Sequence, residues 1–127
     1  MSLIKSWVTS ALVRNFPRTP APRRPGMLKL DIARNERFSF QLAVRHECPN
    51  LDESNPQPVK LTVTAPAGWR VRVRTVEAVP VRHFNTRTPV EEIDGIENYP
   101  GYVPDLLRDG NELAAAPFET SAFYITL

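Results

Sequence analysis

The sequence predicts an all-β protein: an antiparallel β-sandwich of roughly immunoglobulin-like size, with a long irregular segment before the last strand and a small barrel as the alternative. Three observations carry that expectation. About seven short runs alternate apolar and polar residues, the period-two pattern of strands with one buried face. No segment reads as a long helix, and proline supplies 13 of the 127 residues, roughly twice its usual share of about 5%. A chain of this length buries about two-thirds of its unfolded surface, enough for one domain with a modest core and too little for two.

Residues 4–13, from Ile4 through Trp7 and Val8 to Val13, mix apolar and β-branched positions and read as the first strand. Pro17, Pro20, Pro22 and Pro25 then alternate with Arg18, Arg23 and Arg24, a composition that favours an extended, surface-hugging connector without ladder hydrogen bonds. Leu28–Ile32 alternates again and reads as a short strand. After a turn at Arg34-Asn35-Glu36 comes the clearest strand of the chain. Phe38, Phe40, Leu42 and Val44 fall on its expected buried face, and Ser39, Gln41, Ala43 and Arg45 on its expected wet face.

Residues 49–58 collect turn formers and charges and read as a loop. Val59, Leu61, Val63 and Ala65 alternate with Lys60, Thr62 and Thr64, giving a strand that stops at the turn Pro66-Ala67-Gly68. Two further runs follow, Trp69–Thr75 and Val79–His83. Val76 breaks their common parity, so a bulge or short turn near Val76-Glu77-Ala78 is expected to reset the register. Pro80 suits an edge strand or a bulge. From Asn85 to Pro117 the alternation fails, and only brief helical turns at Asp105–Arg108 and Glu112–Ala116 are expected. This stretch holds Ile93, Ile96, Tyr99, Tyr102, Val103, Leu106 and Leu107, too apolar for disorder, and is expected to pack against something. Ser121–Leu127 is the last strand. It runs into the carboxyl terminus without a polar tail, as expected of a single domain, residues 1–127, belonging to a longer protein.

Charge is nearly balanced, 16 Lys and Arg against 14 Asp and Glu, whereas a nucleic-acid binder is usually lopsided. No run of 18 apolar residues and no signal-peptide core occurs, so neither a membrane span nor a leader is expected in this chain. Cys48 is the single cysteine, which excludes an intramolecular disulfide and a multi-cysteine zinc site. His46 and His83 stand at strand ends outside any spaced metal motif. A Cys48–His46 dyad lacks an orienting partner and an oxyanion site. Glu91, Glu92, Asp94 and Glu97 lack the alternating spacing of a calcium loop and read as solvated loop charge. With no phosphate-cradling glycine loop and no nucleophile elbow, no catalytic residue, metal ligand or cofactor is expected.

Two features remain as candidate contact surfaces. Arg70, Arg72, Arg74 and Arg82 share strand parity and form a cationic stripe, either solvated, paired to a neighbouring strand, or open to an anion. Trp69, Tyr99 and Tyr102 offer rings for stacking on a sugar or for anchoring an interface, and Asp105, after Pro104, is placed to cap a turn at Leu106–Arg108.

Three stretches also resemble a known group. Ala33-Arg-Asn-Glu-Arg-Phe-Ser-Phe-Gln-Leu42 resembles the signature of the amino-terminal β-sandwich domain in a group of bacterial glycoside hydrolase-like proteins. Tyr102-Val-Pro-Asp-Leu-Leu107 is similar to that group's tyrosine, x, Pro-Asp-x-Leu segment, with Leu106 where a second proline usually stands. Ala122-Phe-Tyr-Ile-Thr-Leu127 resembles a strand that in the group precedes a Pro-Gly-x-Tyr hairpin. The resemblance implies a non-catalytic accessory domain that packs on a following domain of the same chain. In that group, which includes β-N-acetylgalactosaminidase-like enzymes, hydrolysis belongs to a later TIM-like barrel, and no residue here matches its acid or its substrate-assisting carboxylate. It further implies a secreted or periplasmic setting and carbohydrate as a possible ligand. A freestanding carbohydrate-binding module and an adhesion or assembly module are the competing expectations.

Overall fold

The computed structural model describes residues 4–48, 55–83 and 87–127. It is an all-β sandwich of seven strands: β1 (Ile4–Ser10), β2 (Ser39–His46), β3 (Gln57–Lys60), β4 (Arg72–Val81), β5 (Gly101–Asp109), β6 (Glu112–Ala115) and β7 (Thr120–Thr126). Five of them form one antiparallel sheet in the order β1-β2-β7-β4-β5, and β3 pairs with β6 in a second, two-stranded sheet. Strands β1, β2 and β7 lie where the sequence predicts strands, with β1 ending three residues early at Ser10. Of the loop expected at 49–58, residues 49–54 lie outside the described residues, as do 84–86.

The principal core lies on one face of the large sheet. In the registers Leu42↔Phe123, Phe40↔Ile125 and Phe123↔Thr75, this face carries Val44, Phe123, Ile125 and Thr75, all buried. Burying a side chain the size of Phe123 stabilises the fold by about 1.5–3 kcal/mol. The opposite face is covered too. Trp7, Ala43 and Ala122 form one cross-strand row and are each less than a tenth exposed.

That second covered face corrects an expectation. Gln41 is 4% exposed and Ala43 fully buried, although alternation assigns both to a wet side. Their cover is the proline-rich connector. A polyproline-like segment has no ladder partners for its carbonyls, and here β2 and β7 supply them. Gln41 Nε2 donates to the carbonyls of Ser10, Ala11 and Val13 at 3.3, 3.2 and 2.6 Å. Arg45 Nη1 donates to those of Pro17 and Thr19 at 3.4 and 3.3 Å. The Thr120 hydroxyl donates to the Thr19 carbonyl at 2.6 Å, and the Thr120 amide to Pro17. Asn15, 3% exposed, ties Thr9 to Gln41 through its Nδ2. From outside, the Phe16 ring lies against Gly95, where a Cβ would come within 2.5 Å of it.

Four other expectations are corrected. Leu28–Ile32 has no ladder partner among the described residues; Leu28 and Leu30 instead line an apolar depression with Val8, Phe38, Phe40 and Leu127, so their alternation reflects packing over a sheet and not membership of one. The expected strand at 59–65 forms ladder pairs only to Lys60, because its partner β6 has four residues. The Leu61 amide still donates to the Asn111 carbonyl, and the Asn111 side chain returns a bond to the Leu61 carbonyl. Trp69–Thr75 and Val79–His83 are not two runs. Their residues 72–75 and 79–81 lie on one strand, β4, with Val76 facing Ala122 on the second face, whereas 69–71 and 82–83 lie outside it. The register shift does fall at Glu77/Ala78, but the pairs Glu77↔Leu106 and Ala78↔Pro104 skip Asp105, so the extra residue belongs to β5.

The segment expected to be irregular from Asn85 to Pro117 is so only up to Pro100 among its described residues, with 3₁₀ turns at Val90–Glu92 and Ile96–Asn98. Beyond it lie β5 and β6, at the places where helical turns were expected. The local helix preference of Leu and Ala yields to pairing with β4 and β3, and β5 is further fixed by Arg72–Asp109 and Arg108–Glu77 contacts. Asp105 therefore caps no turn: it is the exposed bulge residue. Pro80 pairs with Tyr102 beyond the last β4–β7 pair at Val76, where one edge of β4 has no ladder partner among the described residues and the missing N–H is tolerated.

Candidate functional site

The face of β2, β7 and β4 that carries Gln41 and Arg45 continues, beyond the connector, into a cleft of about 1250 Å³. Three loops and strand ends converge there because β7 lies between β2 and β4: the turn 33–37 leading into β2, the turn 66–70 leading into β4, and the end of β7. In the first turn Asn35 adopts a left-handed conformation, φ 64°. The Glu36 carboxylate accepts the Ala33 amide at 2.7 Å, so it closes the turn rather than pairing with Arg34 or Arg37 as its spacing allows. In the second, Gly68 at φ 87° supplies the left-handed residue, and the Trp69 amide bonds the Pro66 carbonyl. Trp69 then stands edge-on to Phe38, ring centroids 6.0 Å apart at 84°, and is 43% exposed.

Five arginines line the cleft: Arg34, Arg37, Arg70, Arg72 and Arg74. Two are engaged. Arg72 binds Asp109 through two parallel hydrogen bonds, 2.9 and 3.0 Å; that pairing holds the Asp109 carboxyl below its usual range and raises Arg72. The Arg74 guanidinium lies 5.1 Å over the Tyr124 ring and donates to Thr126 at 3.1 Å, while its Nε is buried without a partner among the described residues. Thr126 also shares a hydrogen bond with Ser39, 2.8 Å. Arg34, Arg37 and Arg70 are exposed and hold no ion pair or hydrogen bond with a described residue.

The stripe seen in the sequence is thus two things. Arg70, Arg72 and Arg74 meet in the cleft, whereas exposed Arg82 lies outside it. Sequence spacing does not connect Arg34, Arg37, Tyr124 and Thr126 to the stripe, because only the β2-β7-β4 order brings them alongside. The aromatic residues do not form one platform. Trp69 is in the cleft; Tyr99 and Asp105 line a different depression of about 570 Å³ with His83, Glu92 and Asp94; Tyr102, 62% exposed, is on β5 and lines neither.

His46 is fully buried, its two ring nitrogens without hydrogen-bond partners among the described residues, and Cys48 is buried near it in sequence. Among the described residues no group of three or more His, Cys, Asp or Glu side chains is arranged to hold a metal ion, and no helix is long and apolar enough to cross a membrane. The fold and cleft define a class, a β-sandwich with one cationic face. In comparisons with known proteins, no protein-family model matches the chain and no curated protein matches it.

Proposed function

We propose that the chain is a non-catalytic accessory domain of a carbohydrate-processing, glycoside hydrolase-like protein, held against a following domain of the same longer chain. One observation carries the docking role. Strand β5 is the outer strand of the large sheet, nine residues long, and exposes Tyr102, Leu106 and Leu107 at 62%, 53% and 36%. An edge with open ladder groups and apolar side chains is a ready surface for another body unless it is covered. Pro104 and the bulge at Asp105 blunt that edge against indiscriminate strand pairing, which fits docking by side chains better than sheet extension. The carbohydrate setting is supported by the resemblance of residues 33–42, 102–107 and 122–127 alone.

The test compares amide hydrogen exchange of residues 101–109 in the isolated chain and in the longer protein. Protection of these amides should rise at least about tenfold in the longer protein, the effect of covering an exposed edge. Equal exchange in both would overturn the docking role. A second reading, a carbohydrate-binding module, is favoured by Trp69 at the cleft mouth.

A further inference from the structure

The cleft holds an imbalance that the docking role does not use. Five arginines line the cleft with one carboxylate side chain, Glu36, which closes its own turn, while Asp109, outside the lining, is bound to Arg72. Three cations, Arg34, Arg37 and Arg70, have no partner among the described residues and come from separate chain segments. Solvated cations on a flat sheet face need no explanation, but cations drawn together from two turns around a concavity form a field that concentrates anions.

We propose that this cleft binds an acidic oligosaccharide, a chain of carboxylate- or sulfate-bearing sugars, with Trp69 stacking on one ring and Arg34, Arg37 and Arg70 meeting its anionic groups. The proposal rests on the carbohydrate-binding reading; Leu107 at the β5 edge also lines the cleft, so docking and binding share that one residue. The volume, about 1250 Å³, exceeds the roughly 300–1,000 Å³ of ordinary small-molecule pockets and suits several linked sugars better than one. Trp69 is the one strongly exposed ring among the lining residues, since Tyr124 lies beneath Arg74. A single apolar platform ringed by guanidinium forks matches a sugar bearing charges at its rim. Single-stranded nucleic acid is instead gripped by successive stacking rings along a basic groove, and only one ring is offered here. A peptide adding itself as a strand needs a ladder edge, and the cleft lies on β2, β7 and β4, which are interior strands of the sheet.

Binding is measured by titration calorimetry at low and at physiological salt, with polygalacturonate, chondroitin sulfate, neutral dextran and a single-stranded oligonucleotide as probes. One or both acidic glycans should bind and dextran should not; the two glycans separate carboxylate from sulfate recognition. Replacing Arg34, Arg37 and Arg70 together by alanine should weaken binding about tenfold or more, as the loss of several screened charge contacts implies. Trp69→Ala should weaken it independently, and because that change also removes a contact with Phe38, its unfolding curve is recorded alongside. Dextran bound as well as the acidic glycans would keep the carbohydrate reading and overturn the acidic one. An oligonucleotide bound as tightly as the glycans would replace the proposal with a general polyanion site, and no binding by any glycan would overturn both readings.

Discussion

Polar side chains on one sheet face meet two fates within a few residues of each other. At the β1-side end, Gln41, Arg45 and Thr120 are engaged by the backbone carbonyls of residues 10–19, the end of β1 and the connector that follows it. At the far end, Arg34, Arg37 and Arg70 surround an open cleft and engage nothing among the described residues. The difference is one of cover. Where a proline-rich segment lies over the sheet, its unpaired carbonyls make donors on the sheet indispensable; where none does, the donors remain exposed to whatever anion arrives. The first group belongs to the fold, the second to binding.

The comparison breaks first at Gln41. Gln41→Ala removes the side-chain donor to the Ser10, Ala11 and Val13 carbonyls and one acceptor of Asn15 Nδ2, leaving Ser10 its bond from the Val13 amide and Asn15 its bond to Thr9, and the unfolding free energy should fall by about 1–3 kcal/mol. Denaturant unfolding of the variant measures it. A change below about 0.5 kcal/mol, the size typical of plain surface substitutions, would mean that water replaces Gln41 and that the two ends of the face are energetically alike.

Gly95→Ala attacks the same cover from outside. The new Cβ meets the Phe16 ring at 2.5 Å, and Gly95 sits at φ 66°, so steric clash and left-handed strain act together. A loss of about 1–2 kcal/mol is expected, with faster hydrogen exchange at the Thr19 amide, which bonds the Phe16 carbonyl. The triple alanine variant of Arg34, Arg37 and Arg70 is the counterpart at the other end. Its stability should stay within about 0.5 kcal/mol of the parent at each site, and thermal unfolding checks it; a large loss would make these cations structural.

The same contrast explains what the sequence reveals and what it hides. Alternation identifies β2, whose Phe38, Phe40, Leu42 and Val44 recur at every second position, while β1 and β7 are found from apolar and β-branched content. It assigns Gln41 and Arg45 to one face but cannot say what lies on that face, since the cover comes from a connector with no periodicity of its own. β5 is hidden for a local reason: Pro104 interrupts it, and the extra residue Asp105 puts Leu106 and Leu107 out of phase with Tyr102 and Val103, erasing period two. Leu28–Ile32 shows the reverse error, an alternating run whose apolar side chains pack over the sheet without joining it. The cleft is half legible. Arg70, Arg72 and Arg74 stand close in sequence, whereas Arg34, Arg37 and Tyr124 join them only through the crossover that inserts β7 between β2 and β4.

Asp109 offers the smallest effect and the sharpest use of the comparison, because its carboxylate is the one paired to an arginine of the cationic end. Arg72 holds its carboxyl below the ordinary value of 3.8, chiefly through their hydrogen bonds. A depressed carboxyl contributes stability that is complete above its unfolded-state pKa and is lost as the pH falls through the lower folded-state value. Both groups are solvent-exposed, so Asp109→Asn should lower the melting temperature only slightly at neutral pH, and the two proteins should converge in strong acid. Binding moves the other way. Without its partner carboxylate Arg72 joins Arg34, Arg37 and Arg70, and chondroitin sulfate, whose sulfates stay ionised in acid, should bind the variant about two- to threefold more tightly at neutral pH. That advantage should shrink as the pH falls through the Asp109 pKa, since protonation of the parent releases Arg72 as the substitution does. Affinity that ignores both the substitution and the pH would place the anion away from Arg72 and divide the arginine cluster into a structural pair and an unrelated set of surface charges.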